Sequence, residues 1–253
     1  MRGFFNIKNT ILFEDQDLIV CHKPAGIAVQ NARTGVMDME HALKNYLAEK
    51  CPGQIPYLAV LHRLDQPVEG ALVFAKTPQA ARELSRQIAG GKVDKRYLAV
   101  TTELPVQIRK TMKEEPSEQP VYLEFPEQKL RDFLKKDNRT NITHVVPEGT
   151  AGAREARLTF RTVQALKDIR TKSGRRYLLE IHLETGRHHQ IRVQMAHAGM
   201  PLLGDRKYNG GETTTLPLGL CSRSLTFVHP TSGKSLYFEV VPEGGAFEGF
   251  VFV

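Results

Sequence analysis

No run of the chain approaches the roughly 20 apolar residues needed to span a bilayer. The opening residues, Met1 to Thr10, lack the basic, apolar and small-residue order of a signal peptide. Neither a membrane partner nor export is therefore expected. Cysteine is scarce: Cys21, Cys51 and Cys221 are odd in number, and no two share a CxxC spacing. This excludes a disulfide framework and points to a reducing cytoplasm. The chain has no GxGxxG, so the dinucleotide fingerprint is missing. Ser232-Gly233-Lys234-Ser235 looks like the end of a phosphate loop, but the upstream glycine is lacking. There is no HExxH, and the spacing of His188, His189 and His197 fits no zinc pattern, so no metal is expected. The GxSxG elbow of serine hydrolases is absent as well. Neither an internal repeat nor a low-complexity tract occurs. These absences leave room for an isomerisation performed by side chains alone, without metal or organic cofactor.

What is present is a chain of 253 residues with 41% hydrophobic content. That suffices for a real core, in one large domain or two closely packed lobes. The formal net charge is +7 and the sequence pI about 9.3. Such a surplus favours a polyanionic partner. Its distribution is uneven. From Arg154 to Arg192 there are ten Lys/Arg against four Asp/Glu, a surplus of six, whereas Glu103 to Glu155 nearly balances. A solvated charged face and a phosphate-binding surface both fit this pattern.

Periodicity outlines the elements. Ile11–Phe13 and Leu18–Cys21 read as short strands, and His22-Lys23-Pro24-Ala25-Gly26 breaks regular structure. Met37 to Lys50 reads as a helix, and Ala71 to Ala75 as a buried strand. Thr77 caps the next helix with Pro78 in its first turn. Ala81, Leu84 and Ile88 form its apolar stripe, and Gly90-Gly91 ends it. Tyr97 to Val100 reads as a strand. Residues 103–152 are polar and proline-rich, and predict an insertion with at most short elements. Alternation returns around Ala156, Leu158 and Phe160, and again at Tyr177, Leu179, Ile181 and Leu183, as in half-buried strands. Gln190 to His197 predicts a helix closed by Gly199. Leu225–Val228 and Leu236–Val241 predict the last strands. Helices and strands mix without a strict βαβ rhythm, which favours α+β with a large mixed sheet.

Three ordered segments carry the chemistry. The first is Leu61-His62-Arg63-Leu64-Asp65, followed by Gly70 and the strand Ala71–Ala75. The second is Lys95-Arg96-Tyr97-Leu98-Ala99. The third is Glu184-Thr185-Gly186-Arg187-His188-His189-Gln190-Ile191-Arg192-Val193, running on through Ala196-His197 to Leu203-Gly204-Asp205. A chance HRLD in a chain this long is on the order of one in a thousand. Together, and with the opening Glu14-Asp15 through Lys23-Pro24-Ala25-Gly26, these segments closely resemble the RluA-type RNA pseudouridine synthases, over about residues 11–241.

The resemblance implies an α+β fold built on a long mixed, largely antiparallel sheet. Helices and loops flank the sheet, and a basic catalytic cleft crosses it. It implies one catalytic domain over 1–253, with 103–152 as a polar insertion. The reaction is isomerisation of uridine in structured RNA, ribosomal or transfer, with the target base flipped out. The bond from ribose to N1 breaks, the base turns, and a carbon–carbon bond forms through C5. A carboxylate can act as the nucleophile, and the family assigns that role to the aspartate at Asp65. By resemblance Arg192 is the guanidinium that keeps this carboxylate ionised and aimed. Tyr97 stacks on the base and its hydroxyl reaches a proton. Read alone, Arg192 is a helix-surface arginine and Tyr97 a half-buried strand tyrosine. Ile191 forms the apolar side of the base pocket, and Arg63 enters the vacated stack. His62 is an RNA contact or a structural hydrogen-bonding residue. Arg187, Arg206 and Lys207 are candidates for backbone phosphates. Gly186 is read as a close turn into the helix.

The match departs from the family in two places. Many members follow HRLD with two residues and then Thr-Ser-Gly; here Gln66-Pro67-Val68-Glu69-Gly70 keeps only the glycine. Some relatives also carry an N-terminal RNA-binding S4 module. With about ten residues before the first strand, a stand-alone catalytic domain is expected, acting as a monomer on RNA and not on DNA. The rival readings are a catalytically inactive RNA-binding or assembly protein on the same fold, and a uracil-removing glycosylase, which would release free base. The presence of Asp65, Tyr97 and Arg192 together favours the synthase over an inactive relative.

Overall fold

A computed structural model describes residues 5–31, 36–111, 116–210 and 214–252. Residues 1–4, part of the stretch read as lacking a signal pattern, and 112–115, part of the expected insertion, lie outside the described residues. The chain forms two compact units: Met1–Asp94 with Ser222–Val240, and Lys95–Cys221 with Val241–Val253. Both units combine helices with antiparallel strands, as the α+β reading predicts.

The first unit opens with β1 (Ile11–Glu14) and β2 (Leu18–Lys23), an antiparallel pair. Asp15 makes the turn between them: its Oδ1 accepts from the backbone N–H of Asp17 and of Leu18, both at 2.8 Å. α1 (Met39–Lys50) is capped by Asp38, whose side chain accepts from the His41 N–H. After β3 (Ala59–Val60) comes β4 (Glu69–Ala75), buried at every residue and paired with β2 from Leu18↔Ala75 to Lys23↔Gly70. β2 thus runs on through His22 and Lys23, which the sequence places in the break. α2 (Pro78–Ala89) has the expected Thr77 cap, and Gly91 beyond its end takes φ +66°. Its buried face is Ala80, Leu84 and Gln87, turned slightly from the predicted stripe. Gln87 tolerates burial because its amide bonds both ways with the Val228 backbone, at 2.9 and 3.0 Å.

The second unit contains β5 (Asp94–Thr101), α3 (Val106–Thr111), β6 (Val121–Tyr122), β7 (Gln128–Asp137), β8 (Ile142–Val146), β9 (Arg154–Lys167), β10 (Arg175–Leu183) and α4 (Gln190–His197). Its strands run in the order β5-β10-β9-β7-β8, with β6 also on β9, every pair antiparallel. α4 has the bounds the sequence predicts. The expectation of only short elements in 103–152 is overturned: β7 is ten residues long and pairs with β9 from Gln128↔Phe160 to Leu134↔Arg154. Gln128 to Asp132 alternate between half-buried and exposed, the rest follows no strict alternation, and Leu134 alone is buried. A strand with no apolar face leaves no period-two hydrophobic signal to read.

The chain returns to the first unit along β11 (Leu220–Val228), which pairs with β12 (Ser235–Glu239). From Ser222 onward β11 belongs to the first unit and lies beside β4. There Gly70 has φ +128°, and a Cβ on it would sit 2.4 Å from the Ser222 carbonyl oxygen. Only glycine fits at that position.

Candidate active site

In the first unit the site is organised by a buried lysine. Lys23, the last residue of β2, has no exposed surface. Its Nζ donates to the carbonyls of Pro24 (2.9 Å), Ile27 (2.6 Å) and Gln66 (3.2 Å). Gln66 follows Asp65 directly. The Gly26 N–H donates to the Gln66 carbonyl at 2.8 Å, and Gln66 Nε2 donates back to the Gly26 carbonyl at 3.0 Å. The Pro24–Ile27 turn and the Asp65 turn are thereby stitched together. Asp65 is half-buried, and its carbonyl closes its own turn by accepting from the Val68 N–H at 3.0 Å. Burial pushes the Lys23 ammonium down to about 7, against the charges of Asp65 and Glu69, which pull it up. Three acceptors call for three N–H donors, which only the protonated amine has.

His62 is half-buried and accepts from the Val73 N–H of β4 at 3.4 Å, which supports its structural reading. Arg63 is exposed; its Nε and one terminal nitrogen donate to Gln30 Oε1 at 2.9 and 2.6 Å. Gln30 in turn donates to Glu40 of α1 at 2.6 Å. The guanidinium is thus oriented at the surface by a relay from a helix.

In the second unit Tyr97 is buried on β5, opposite Ile181 of β10. Arg192 and Ile191 are buried on α4. Arg192 grips Asp205 with two parallel bonds, Nε to Oδ2 at 2.8 Å and a terminal nitrogen to Oδ1 at 2.7 Å. Asp205 Oδ1 also accepts from the backbone N–H of Lys207 at 2.9 Å. A bidentate pair of this kind fixes the guanidinium plane. The helix-surface reading of Arg192 is therefore wrong, and no local pattern marks Asp205, thirteen residues on, as its brace.

α4 begins at His189, which has φ +52° and no side-chain cap. The Gln190 side chain instead ties the preceding turn to the helix: its Oε1 accepts from the Arg187 N–H (2.9 Å) and Thr185 Oγ1 (2.8 Å). Its Nε2 donates to the Arg157 carbonyl at 3.0 Å. Gly186 has no left-handed φ, and a Cβ there would meet only Lys95 Nζ at 3.9 Å, so the turn itself does not require glycine. His188 and His189 stack at 3.7 Å. They bond to Thr143 Oγ1 (2.7 Å) and the Tyr208 hydroxyl (2.8 Å), tying the helix start to β8. Arg187 donates to the Glu155 carbonyl at 2.8 Å. Lys207 reaches the Asn141 carbonyl at 2.9 Å, and Arg206 is exposed.

The basic stretch is partly spoken for. Arg157 pairs with Glu155 and Glu184, Arg161 with Glu180, Arg170 with Asp168 and Glu248, Arg176 with Asp168, and Arg192 with Asp205. Among the described residues, no group of three His, Cys, Asp or Glu could hold a metal ion. No helix among them is long and apolar enough to cross a membrane.

Residues 17–197 match the family model described as RNA pseudouridylate synthase. The chain is 31% identical over 247 residues to ribosomal large subunit pseudouridine synthase D of Xanthomonas campestris, covering 91% of this chain and 65% of that protein. It is 31% identical over 244 residues to ribosomal large subunit pseudouridine synthase C of Buchnera aphidicola, covering 92% and 67%. The chain thus spans 65% and 67% of the length of these relatives. Among solved structures, human RNA pseudouridylate synthase domain-containing protein 4 has a TM-score of 0.67 at 20% identity, covering 94% of this chain and 90% of that one. At that identity the likeness is one of fold.

Proposed function

Because the chain belongs to the RNA pseudouridylate synthase family, we propose that it isomerises uridine to pseudouridine in structured RNA, with Asp65 as nucleophile. The observation that carries the proposal is the turn of His62-Arg63-Leu64-Asp65, which enters a wholly buried strand and is held from behind by Lys23. Such a turn keeps a carboxylate at a fixed position while leaving it half-exposed to a substrate. Asp65 attacks either the ribose at C1′, expelling uracil as an anion through N1, or the base at C6; in both cases the carboxylate's charge passes to the uracil. After the base turns, C5 bonds to C1′, the bond to Asp65 breaks and restores the carboxylate, and C5 gives up its proton. Tyr97 stacks on the base and takes a proton, and Arg192, braced by Asp205, keeps the nucleophile ionised. Ile191 borders the base. Arg63 replaces the flipped nucleotide, and Arg187, Arg206 and Lys207 contact phosphates, with His62 a structural support.

The names of the two bacterial relatives support large-subunit ribosomal RNA as the target class. The chain acts as one catalytic domain, as a monomer in the cytoplasm. Mapping pseudouridine in RNA from cells with and without the protein tests this reading. At least one ribosomal site should lose its pseudouridine. A loss confined to transfer RNA would replace the target class, and an unchanged map would sink the proposed activity.

A further inference from the structure

Lys95 stands on β5 two residues before Tyr97. Strand residues two apart share a face and lie about 6.5 Å from each other. The side chains of Lys95 and Tyr97 therefore leave the sheet on the same side, while Arg96 between them is exposed. Lys95 itself is half-buried. Its Nζ lies 3.9 Å from where a Cβ on Gly186 would be, and apart from the neighbours of Gly186 in the chain nothing else comes within 4 Å of that position. The ammonium thus borders an open space in front of the turn that leads into α4. Among the described residues it has no hydrogen-bond or ion-pair partner, and burial alone sets its pKa, below the ordinary lysine value. Lys23, by contrast, is satisfied by three carbonyls. A half-buried cation without a partner costs stability where it stands, and this marks a place for an anion that arrives with a ligand.

We propose that Lys95 is a further catalytic residue: its ammonium pairs with an exocyclic oxygen of the target uracil and stabilises the negative charge that the ring carries during the isomerisation. This rests on the reading of the chain as a synthase with Tyr97 stacked on the base. A uracil on that ring has its oxygens at the ring edge, within reach of a lysine one strand repeat away. The charge arrives when Asp65 bonds to the substrate, and leaves when the new carbon–carbon bond has formed and the carboxylate is restored. If N1 is expelled, the charge is shared by O2 and O4; if C6 is attacked, it lies on O4 through the enolate. Turning the base about its N3–C6 axis brings C5 to the place of N1 and exchanges O2 and O4. A compact ammonium with rotatable donors serves whichever oxygen is presented. An attraction that exists only while the ring is charged favours the transition state over the bound substrate. A backbone phosphate is the rival partner. It is charged throughout, so pairing with it would raise affinity without raising the rate. Half-burial beside the stacking residue favours the base, whereas exposed cations such as Arg206 suit phosphate.

The test is Lys95→Met in the full chain, which keeps the length of the side chain and removes its charge. Single-turnover pseudouridine formation on a uridine-containing transcript is followed over a range of enzyme concentrations, and RNA affinity is measured against salt. The saturating rate should fall by roughly 10²-fold or more, with half-saturation, affinity and salt slope unchanged. Weaker affinity with a salt slope shallower by about 0.7, at an unchanged saturating rate, would make Lys95 a phosphate contact and overturn the proposal. A variant equal to the unaltered chain in rate and affinity would overturn it as well. If Lys95→Met does not fold, Lys95→Gln makes the same comparison. Loss of the fold in both would make Lys95 structural, against the proposal. If the unaltered chain makes no pseudouridine, the functional reading itself fails, and the role of Lys95 falls with it.

Discussion

Asp65→Asn keeps the shape of the side chain and removes its charge. The variant should fold and bind RNA, with turnover reduced to background in a single-turnover assay. Substantial product would remove Asp65 from the nucleophile role. Tyr97→Phe separates two functions of a ring buried on β5. If the hydroxyl moves a proton, turnover should fall by roughly 10²-fold with RNA affinity little changed. A near-normal rate would leave Tyr97 as a stacking platform. At this scale the sequence offers candidates where a motif names a residue, as with Asp65, Tyr97 and Arg192, and these variants are what test their roles. It was silent on Lys23 and Asp205 as supports. Each is a charged residue whose meaning comes from burial against distant parts of the chain, and local composition does not record that.

Among the elements, β4 depends on Gly70. Gly70→Ala must hold φ +128° and push a methyl group to 2.4 Å from the Ser222 oxygen. The unfolding free energy from denaturant titration should fall by about 2 kcal/mol or more. A variant of unchanged stability would mean that β11 moves aside without penalty. Gln190→Ala tests the start of α4: it removes four bonds made by one amide, to Arg187, Thr185, Arg157 and Gln194. Amide exchange in Thr185–Arg187 should speed up while β9 stays protected. α2 could be read from sequence because Thr77-Pro78 and Gly90-Gly91 punctuate both ends. β7 could not, because a strand exposed along one face and only half-covered on the other has the composition of a loop.

For the molecule as a whole, RNA affinity should fall linearly on a plot of log affinity against log salt. Ten independent phosphate contacts on a single strand would give a slope near −7, at roughly −0.7 each. At least five of the ten cations between Arg154 and Arg192 already face carboxylates. A slope of no more than about half that size is therefore expected. A flat line would mean that the basic stretch does not face the RNA. The paired cations are also why net charge alone could not separate a solvated face from a phosphate surface. Acid stability has its own marker in Glu14. Burial works to raise its carboxyl, but hydrogen bonds from Lys50, Lys76 and Tyr46 prevail and hold it at about 2. The unfolded chain keeps the ordinary value of 4.5. The stabilisation is complete above that value and drains away as pH falls towards 2. The stability gap between the unaltered chain and Glu14→Gln should close over that interval in pH-dependent unfolding.

The first unit is built from two separated stretches of chain, and this imposes an order on biosynthesis. β4 emerges from the ribosome early, yet the part of β11 that belongs to the same unit and covers its far edge starts only at Ser222. At about 5–20 residues per second, the wait is roughly 10–30 s. Throughout it, a strand destined to be buried at every residue stands with one edge open. Nascent chains in that condition pair with each other unless something shields them. Chains stalled or cut before Ser222 should accordingly be the ones that chaperones retain.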